Sequence, residues 1–113
     1  MDGAVAPLTT GTFDDVVMSA PRPMLVDFWS EACEPCKAMM PVLAQIALEC
    51  AGNICVGTVK LDDAPDLAGR FEIMTLPTLI VFSNGAPLKR ITGATGKDRL
   101  LEELSEFLRH EGA

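Results

Sequence analysis

Apolar positions along the chain fall into two patterns, short unbroken runs and helically spaced groups. Three runs have the length and composition of strands buried on both faces: residues 24–29, 54–61 and 78–82. Four segments have the spacing or the start signals of helices: residues 12–18, 35–50, 66–71 and 97–110. Since a long predicted helix joins the first two buried strands, we expect these strands to be parallel.

The weaker signals lie at the two ends of the predicted sheet. Residues 83–85, Ser-Asn-Gly, predict a hairpin turn, and residues 88–92 then alternate like an antiparallel edge strand. Residues 8–10 predict a further short edge strand, residues 1–7 a loose tail, and Pro41 a kink in the long helix. The pattern predicts one α/β domain over residues 1–113, a mixed sheet of four to five strands with helices on both faces.

Composition narrows the function classes. A chain of 113 residues with 49% hydrophobic residues suits one compact core. The formal net charge of -7 argues against a nucleic-acid or anionic-membrane partner, because either would require clustered Lys and Arg. The N-terminus has no basic segment followed by a long apolar one, and no apolar run approaches a membrane span. A cytoplasmic location is therefore expected.

Two cysteines, Cys33 and Cys36, stand where the first buried strand gives way to the long helix. This spacing puts Cys33 just before the helix and Cys36 one turn inside it, close enough to bridge. Free amides at the helix start stabilise a thiolate on the first sulfur, so Cys33 is the candidate nucleophile and Cys36 the candidate resolving thiol. Pro35 suits the first helical turn.

Asp27 is the one charged residue in the apolar run of residues 24–29. A carboxyl group in a buried strand is costly unless it is partnered or protonated, so desolvation should raise its pKa. Its position six residues before Cys33 favours a functional role, and the alternative is that it caps or pairs locally.

The chain resembles the thioredoxin family from about residue 8 to residue 108. The matching motifs occur in the family's order: Val26-Asp27-Phe28-Trp29, Cys33-Glu34-Pro35-Cys36-Lys37, Pro41, Val59-Lys60-Leu61, Leu76-Pro77-Thr78, Asn84-Gly85 and Gly93. A Cys-x-x-Cys pair alone also occurs in zinc sites. The same pair between an Asp-containing buried strand and a later Leu-Pro-Thr is far more specific.

The resemblance implies a thiol–disulfide oxidoreductase that reduces protein disulfides. Cys33 would attack a substrate disulfide, and Cys36 would resolve the mixed disulfide that results. Asp27 would accept and donate the proton of Cys36, with Lys60 nearby modulating it. The dithiol itself would be the redox centre, so no metal or organic cofactor is implied.

The resemblance also implies a docking surface and partners. Trp29 would cover the site, and Pro77 would be a cis proline facing the cysteines. The backbone of Leu76 would pair with a substrate strand, while Thr75 and Gly93 would line the docking surface. The implied partners are disulfide-containing proteins and a thioredoxin reductase or equivalent electron donor, and the protein is expected to be a monomer.

The active-site sequence departs from the Trp-Cys-Gly-Pro-Cys of most family members. Ala32 replaces the aromatic residue, which should alter partner docking. Glu34 replaces glycine beside Pro35, and its charge should destabilise the thiolate and make the couple modestly more reducing. The segment of residues 61–71 is about two residues shorter than is usual, which should leave the site unchanged.

Several alternatives remain open at this point. The changed dipeptide could belong to a specialised disulfide isomerase or a reductase with one dedicated partner, and the scaffold could also be a non-catalytic binding module. Cys50 and Cys55 are interpreted as core residues, the alternatives being a regulatory disulfide or oxidation-sensitive thiol and a four-cysteine zinc site. His110 is interpreted as a solvated helix-terminal residue.

Overall fold

The computed structural model describes residues 4–108, and the strands among them form a five-stranded mixed sheet. Its strands are β1 Val5–Leu8, β2 Met24–Trp29, β3 Cys55–Lys60, β4 Thr78–Ser83 and β5 Ala86–Thr92. They lie in the order β1-β3-β2-β4-β5, with β1 and β2 both parallel to β3, and with β4 antiparallel to both β2 and β5. The predicted mixed sheet and the parallel pairing of the two buried strands are confirmed.

Residues 4–108 contain five α-helices, four between strands and one after β5. They are α1 Phe13–Ser19, α2 Glu34–Ala38, α3 Met40–Glu49, α4 Pro65–Arg70 and α5 Lys97–Glu103, and a 3₁₀ turn at Ser105–Phe107 follows α5. Within residues 4–108, none of the helices has both the length and the apolarity to cross a membrane.

The sheet buries one apolar cluster on each face, because successive side chains of a strand point to opposite sides. On one face the strands pack against α3 and α5 through Leu25, Val56, Leu79, Leu43, Ile46, Leu100 and Leu104. On the other face they pack against α1 and α4 through Phe28, Val59, Ile80, Phe82, Phe13 and Leu67. Helices therefore cover both faces, as the sequence predicts.

The predicted N-terminal edge strand is present, but it lies three residues earlier than residues 8–10. Strand β1 lies at residues 5–8, in parallel register with β3 from Val5 opposite Val56 to Leu8 opposite Val59. Residues 5–7 therefore belong to the sheet and not to a loose tail. Pro7 is compatible with this because β1 is an edge strand. Residues 1–3 and 109–113 lie outside the described part, so the single domain predicted over residues 1–113 stays a prediction.

The predicted long helix is two helices separated at Met39. Met39 keeps right-handed helical backbone angles, and Pro41 lies in the first turn of α3, so the interruption falls beside the proline for which the sequence predicted a kink. The last predicted helix also ends early, at Glu103. His110 lies outside the described residues.

Candidate active site

Cys33 and Cys36 form a disulfide at the start of α2. Cys33 is the N-cap residue, its backbone extended, and the two Cα atoms are 5.3 Å apart. The backbone N–H of Cys36 donates to Sγ of Cys33 over 3.2 Å, and Pro35 lies in the first turn, as predicted. Cys36 is fully buried, whereas Cys33 is partly exposed. A sulfur atom arriving from solvent can therefore reach Cys33 but not Cys36.

The loop between β2 and Cys33 is fixed at both of its ends. The N–H of Cys33 donates to the carbonyl oxygen of Ser30 over 3.1 Å. The N–H of Glu31 donates to Oδ2 of Asp62 over 2.8 Å, which joins this loop to the one that follows β3. These hydrogen bonds hold the loop that leads to Cys33 against the carboxyl ends of two parallel strands.

Asp27 lies in β2, completely buried. Strand alternation places it on the face of Leu25, which α3 covers. Neither carboxyl oxygen has a hydrogen-bond partner within residues 4–108, so the alternative of a local cap or pair is wrong. Burial raises the pKa of Asp27 to about 7, which confirms the predicted direction and cause.

The ammonium group of Lys60 lies beside the Trp29 ring and the Glu31 carboxylate. It lies 5.6 Å from the centre of the Trp29 ring, and Oε1 of Glu31 is 3.1 Å from Nζ. Trp29 and Lys60 are directly opposite in the β2–β3 register, two positions beyond the pair formed by Asp27 and Thr58. The fold therefore brings Lys60 to the same strand face as Asp27, while the two charged groups make no hydrogen bond with each other.

Glu31 is the residue of this site that the sequence did not reveal. Its Oε2 is 3.0 Å from Nζ of Lys37, and its Oε1 binds Lys60. Hydrogen bonds from Lys37 and Lys60 hold the pKa of the Glu31 carboxyl below its usual range. Glu34 interacts more weakly. Its side chain is 83% exposed, and its Oε2 is 3.6 Å from Nζ of Lys37. No local spacing rule relates Glu31 to its two partners, which tertiary structure brings together.

The predicted docking residues lie beside the carboxyl end of β2. The Leu76–Pro77 bond is cis, as the resemblance implies. Because Thr78 pairs with Phe28, Pro77 lies at the end of β2 from which the chain continues toward Cys33. The Thr78 hydroxyl donates to the Thr75 carbonyl oxygen over 2.6 Å.

Gly93 belongs to the same region, because its N–H donates to the Pro77 carbonyl oxygen over 2.9 Å. In this region Thr75 is exposed, Leu76 is partly exposed and Pro77 is buried. The fold therefore brings the predicted docking residues together at one end of the sheet.

Cys50 and Cys55 are free thiols on opposite faces of the sheet. Cys50 is buried in the cluster with α3, and burial raises the pKa of its thiol. Cys55 is partly exposed and packs against the cluster with α1. Cys50 is thus the core residue that was predicted, and the sheet separates it from Cys55. Within residues 4–108, no group of three or more His, Cys, Asp or Glu residues is arranged to hold a metal ion.

Comparison with known proteins gives a consistent result along almost the whole chain. The model of the thioredoxin family matches residues 4–106. The thioredoxin of Mycobacterium tuberculosis (strain ATCC 25618 / H37Rv) is 45% identical over 105 residues, covering 93% of this chain and 90% of the relative. The thioredoxin of Mycolicibacterium smegmatis is 44% identical over 109 residues, covering 95% and 97%.

A longer relative contains a similar region. The bifunctional thioredoxin reductase/thioredoxin of Mycobacterium leprae (strain TN) is 41% identical over 106 residues, covering 94% of this chain and 23% of that protein. The disulfide at the start of α2, the cis proline and these matches agree with one another. The chain belongs to the thioredoxin family and is a thiol–disulfide oxidoreductase whose redox-active pair is Cys33 and Cys36.

Proposed function

We propose that this oxidoreductase reduces disulfides of protein substrates and that Cys33 is its nucleophile. The observation that carries the proposal is the unequal exposure of the two bonded cysteines at the start of α2, Cys33 partly exposed and Cys36 fully buried. The N-terminal end of a helix favours a thiolate on the exposed sulfur. The buried sulfur lies within bonding distance of it and out of reach of a substrate.

In the first step the reduced Cys33 thiolate attacks one sulfur of a substrate disulfide. A bond forms between Sγ of Cys33 and that sulfur, and the other substrate sulfur leaves as a thiolate and takes up a proton. The product is a mixed disulfide. Cys36 is still reduced at this stage.

In the second step Cys36 attacks Sγ of Cys33 and releases the second substrate thiol. Two electrons have then passed from the dithiol to the substrate, and Cys33 and Cys36 are bonded as in the structure. The ionised Asp27 carboxyl takes the proton of Cys36 as the attack proceeds. Its pKa of about 7 suits proton transfer in either direction near neutral pH.

Substrates would dock across the end of the sheet that carries the disulfide. The backbone of Leu76 would pair with an extended substrate segment, with Trp29, Thr75, Pro77 and Gly93 around it. Glu34 and Pro35 precede Cys36 in α2 and would face the same segment. Support for this arrangement comes from the hydrogen bond between Gly93 and Pro77, which joins two of the proposed docking elements.

A thioredoxin reductase, or an equivalent electron donor, would reduce the Cys33–Cys36 disulfide back to the dithiol. Support comes from the Mycobacterium leprae relative, whose name joins a thioredoxin reductase and a thioredoxin in one protein. We further propose that the protein is a cytoplasmic monomer with no metal or organic cofactor. Sedimentation analysis at several protein concentrations tests the monomer, since a concentration-dependent mass would contradict it.

Insulin reduction with dithiothreitol as the electron donor tests the proposed activity. We expect Cys33→Ser to abolish the stimulation of insulin reduction, because no mixed disulfide can form. Cys50→Ser is the matched control, since it removes a free thiol at the C-terminal end of α3 and should leave the stimulation intact. If Cys33→Ser retained the protein's biological role, the binding-module alternative would be favoured.

The reduction potential of the pair separates a reductase from an isomerase. We expect a value of about -270 mV or lower, in the range of reducing members of the family. A value toward about -180 to -120 mV would favour the isomerase or oxidase alternative.

A further inference from the structure

The Glu31 carboxylate is the centre of a charged group assembled from three separate elements. Glu31 itself comes from the loop between β2 and α2, Lys37 from α2 and Lys60 from the end of β3. Each of its oxygens contacts a different lysine, at 3.0 Å for Lys37 and 3.1 Å for Lys60. The backbone N–H of Glu31 donates to Oδ2 of Asp62, which fixes the backbone from which the carboxylate side chain extends.

Four acidic residues bear on Lys60: Glu31, Asp62 and Asp63, whose charges raise its pKa, and Asp27 on its own strand face. Asp27 is opposite Thr58, and Lys60 lies two residues farther along β3 on the same side of the sheet. The flexible side chain of a lysine can follow the strand in either direction. In the structure it turns away from Asp27, held between the Trp29 ring and the Glu31 carboxylate.

We propose that Glu31 is a positioning residue of the redox site, which holds the Lys60 ammonium over Trp29 and so keeps this cation away from the buried Asp27 carboxyl. The consequence for catalysis rests on the role proposed for Asp27 above. The electrostatic effect itself does not, because it exists in the oxidised protein without any substrate.

The surroundings of Asp27 leave Lys60 as the main cation to consider. Strand β4 brings Leu79 opposite it, and β3 brings Thr58 and then Lys60. Helix α2 carries a second lysine, Lys37, which Glu31 also holds. A released Lys60 would favour the ionised form of Asp27 and lower its pKa from about 7.

This arrangement affects how well Asp27 serves Cys36. A carboxyl group with a lower pKa is a weaker base and is less often protonated near neutral pH. The fold therefore uses one exposed acidic residue to keep a buried one near the pH at which it exchanges protons. The side-chain contacts of Glu31 that carry the argument are its ion pairs with Lys37 and Lys60.

The test compares Glu31→Ala with Glu34→Ala, two substitutions that change the net charge equally. The carboxyl carbon of Asp27 is followed by NMR against pH in the oxidised protein. We expect Glu31→Ala to lower the pKa of Asp27 by on the order of one unit, the effect of an opposite charge that approaches within about 4–6 Å. Glu34→Ala should leave it nearly unchanged, because the ion pair of Glu34 within residues 4–108 is with Lys37.

Repeating both substitutions in a Lys60→Gln variant separates two effects on the pKa of Asp27, one that acts through Lys60 and one that comes directly from the charge of Glu31. In that background Glu31→Ala should shift the Asp27 titration no more than Glu34→Ala does. The proposal is overturned if Glu31→Ala causes no shift, if Glu34→Ala causes the same shift, or if the shift persists without Lys60. Glu31→Gln, which keeps the side-chain volume, should give a smaller shift in the same direction. Failure here would leave the insulin test of Cys33→Ser unaffected.

Discussion

The backbone N–H of Gly93 donates a 2.9 Å hydrogen bond to the carbonyl oxygen of Pro77. This bond joins the residue after β5 to the residue before β4, beside the cis Leu76–Pro77 peptide. Gly93 has a φ of +88°, although no atom lies within 4 Å of where a Cβ would be. A side chain here is therefore opposed by the backbone conformation and not by crowding.

Gly93→Ala should lower the free energy of unfolding by about 1–2 kcal/mol, the cost of a left-handed conformation for an L residue. Gly69→Ala is the matched control, because Gly69 also has open space but lies within α4 without a positive φ. It should raise the free energy of unfolding by about 0.5–1 kcal/mol. Urea unfolding measures both, and effects of the same sign would contradict the argument.

Asp27→Asn should stabilise the protein increasingly as the pH rises from about 4 to about 7. The folded-state pKa of Asp27 is raised from 3.8 to about 7, so the folded protein binds this proton more tightly than the unfolded chain does. The stability that this group contributes to the unsubstituted protein is therefore highest below about pH 4 and falls through this window. Between about pH 4 and pH 7 this contribution to the free energy of unfolding falls by about 4 kcal/mol in total, and at higher pH it is constant.

Urea unfolding of both proteins between pH 4 and 8 measures this difference. The amide group that replaces the Asp27 carboxyl would itself be buried and unpartnered, which adds an offset that does not depend on pH. Parallel stability curves across the whole range would show that Asp27 does not titrate as proposed.

Glu34→Gly should make the Cys33–Cys36 couple less reducing. Removing the carboxylate stabilises the thiolate of the reduced form, which shifts the potential to less negative values. The Glu34 side chain is 83% exposed and 3.6 Å from Lys37, so solvent and this lysine weaken its effect. We expect a shift of about 5–20 mV, which should shrink in 1 M salt. An unchanged or more negative potential would contradict the proposed effect of the Glu34 charge.

Gly57→Ala should destabilise the sheet through direct crowding. A Cβ on Gly57 would lie 2.9 Å from Cε of Met24 and 3.1 Å from the backbone oxygen of Ala6 in β1. Met24 can move, but the Ala6 oxygen is part of the strand, so we expect a loss of about 1–3 kcal/mol. Gly52→Ala, where a Cβ meets nothing within 4 Å, should change the stability by less than about 0.5 kcal/mol.

The sequence predicted the elements whose signal is local. The apolar run of residues 24–29 coincides with β2, and Asn84 and Gly85 form the predicted hairpin turn, both with positive φ. The raised pKa of Asp27 followed from one carboxyl group in a buried strand. In each case the signal lies in a short stretch of neighbouring residues.

The features that the sequence did not predict depend on partners far along the chain. The predicted edge strand at residues 8–10 is three residues too late, because the bounds of β1 are defined by its pairing with β3 some fifty residues later. The charged group around Glu31 likewise needs Lys37 and Lys60, which the fold brings together from two other elements. No pattern of neighbouring residues carries this information.

The order of the strands leaves β1 and β5 at the two margins of the sheet, and each contains a proline, Pro7 and Pro87. A proline has no N–H, so neither margin offers a foreign chain an unbroken row of donors. The irregularity in the β4–β5 register at Val81 and Phe82 interrupts the ladder beside Pro87 as well. The sides of the sheet therefore resist pairing with foreign chains and stacking into fibres.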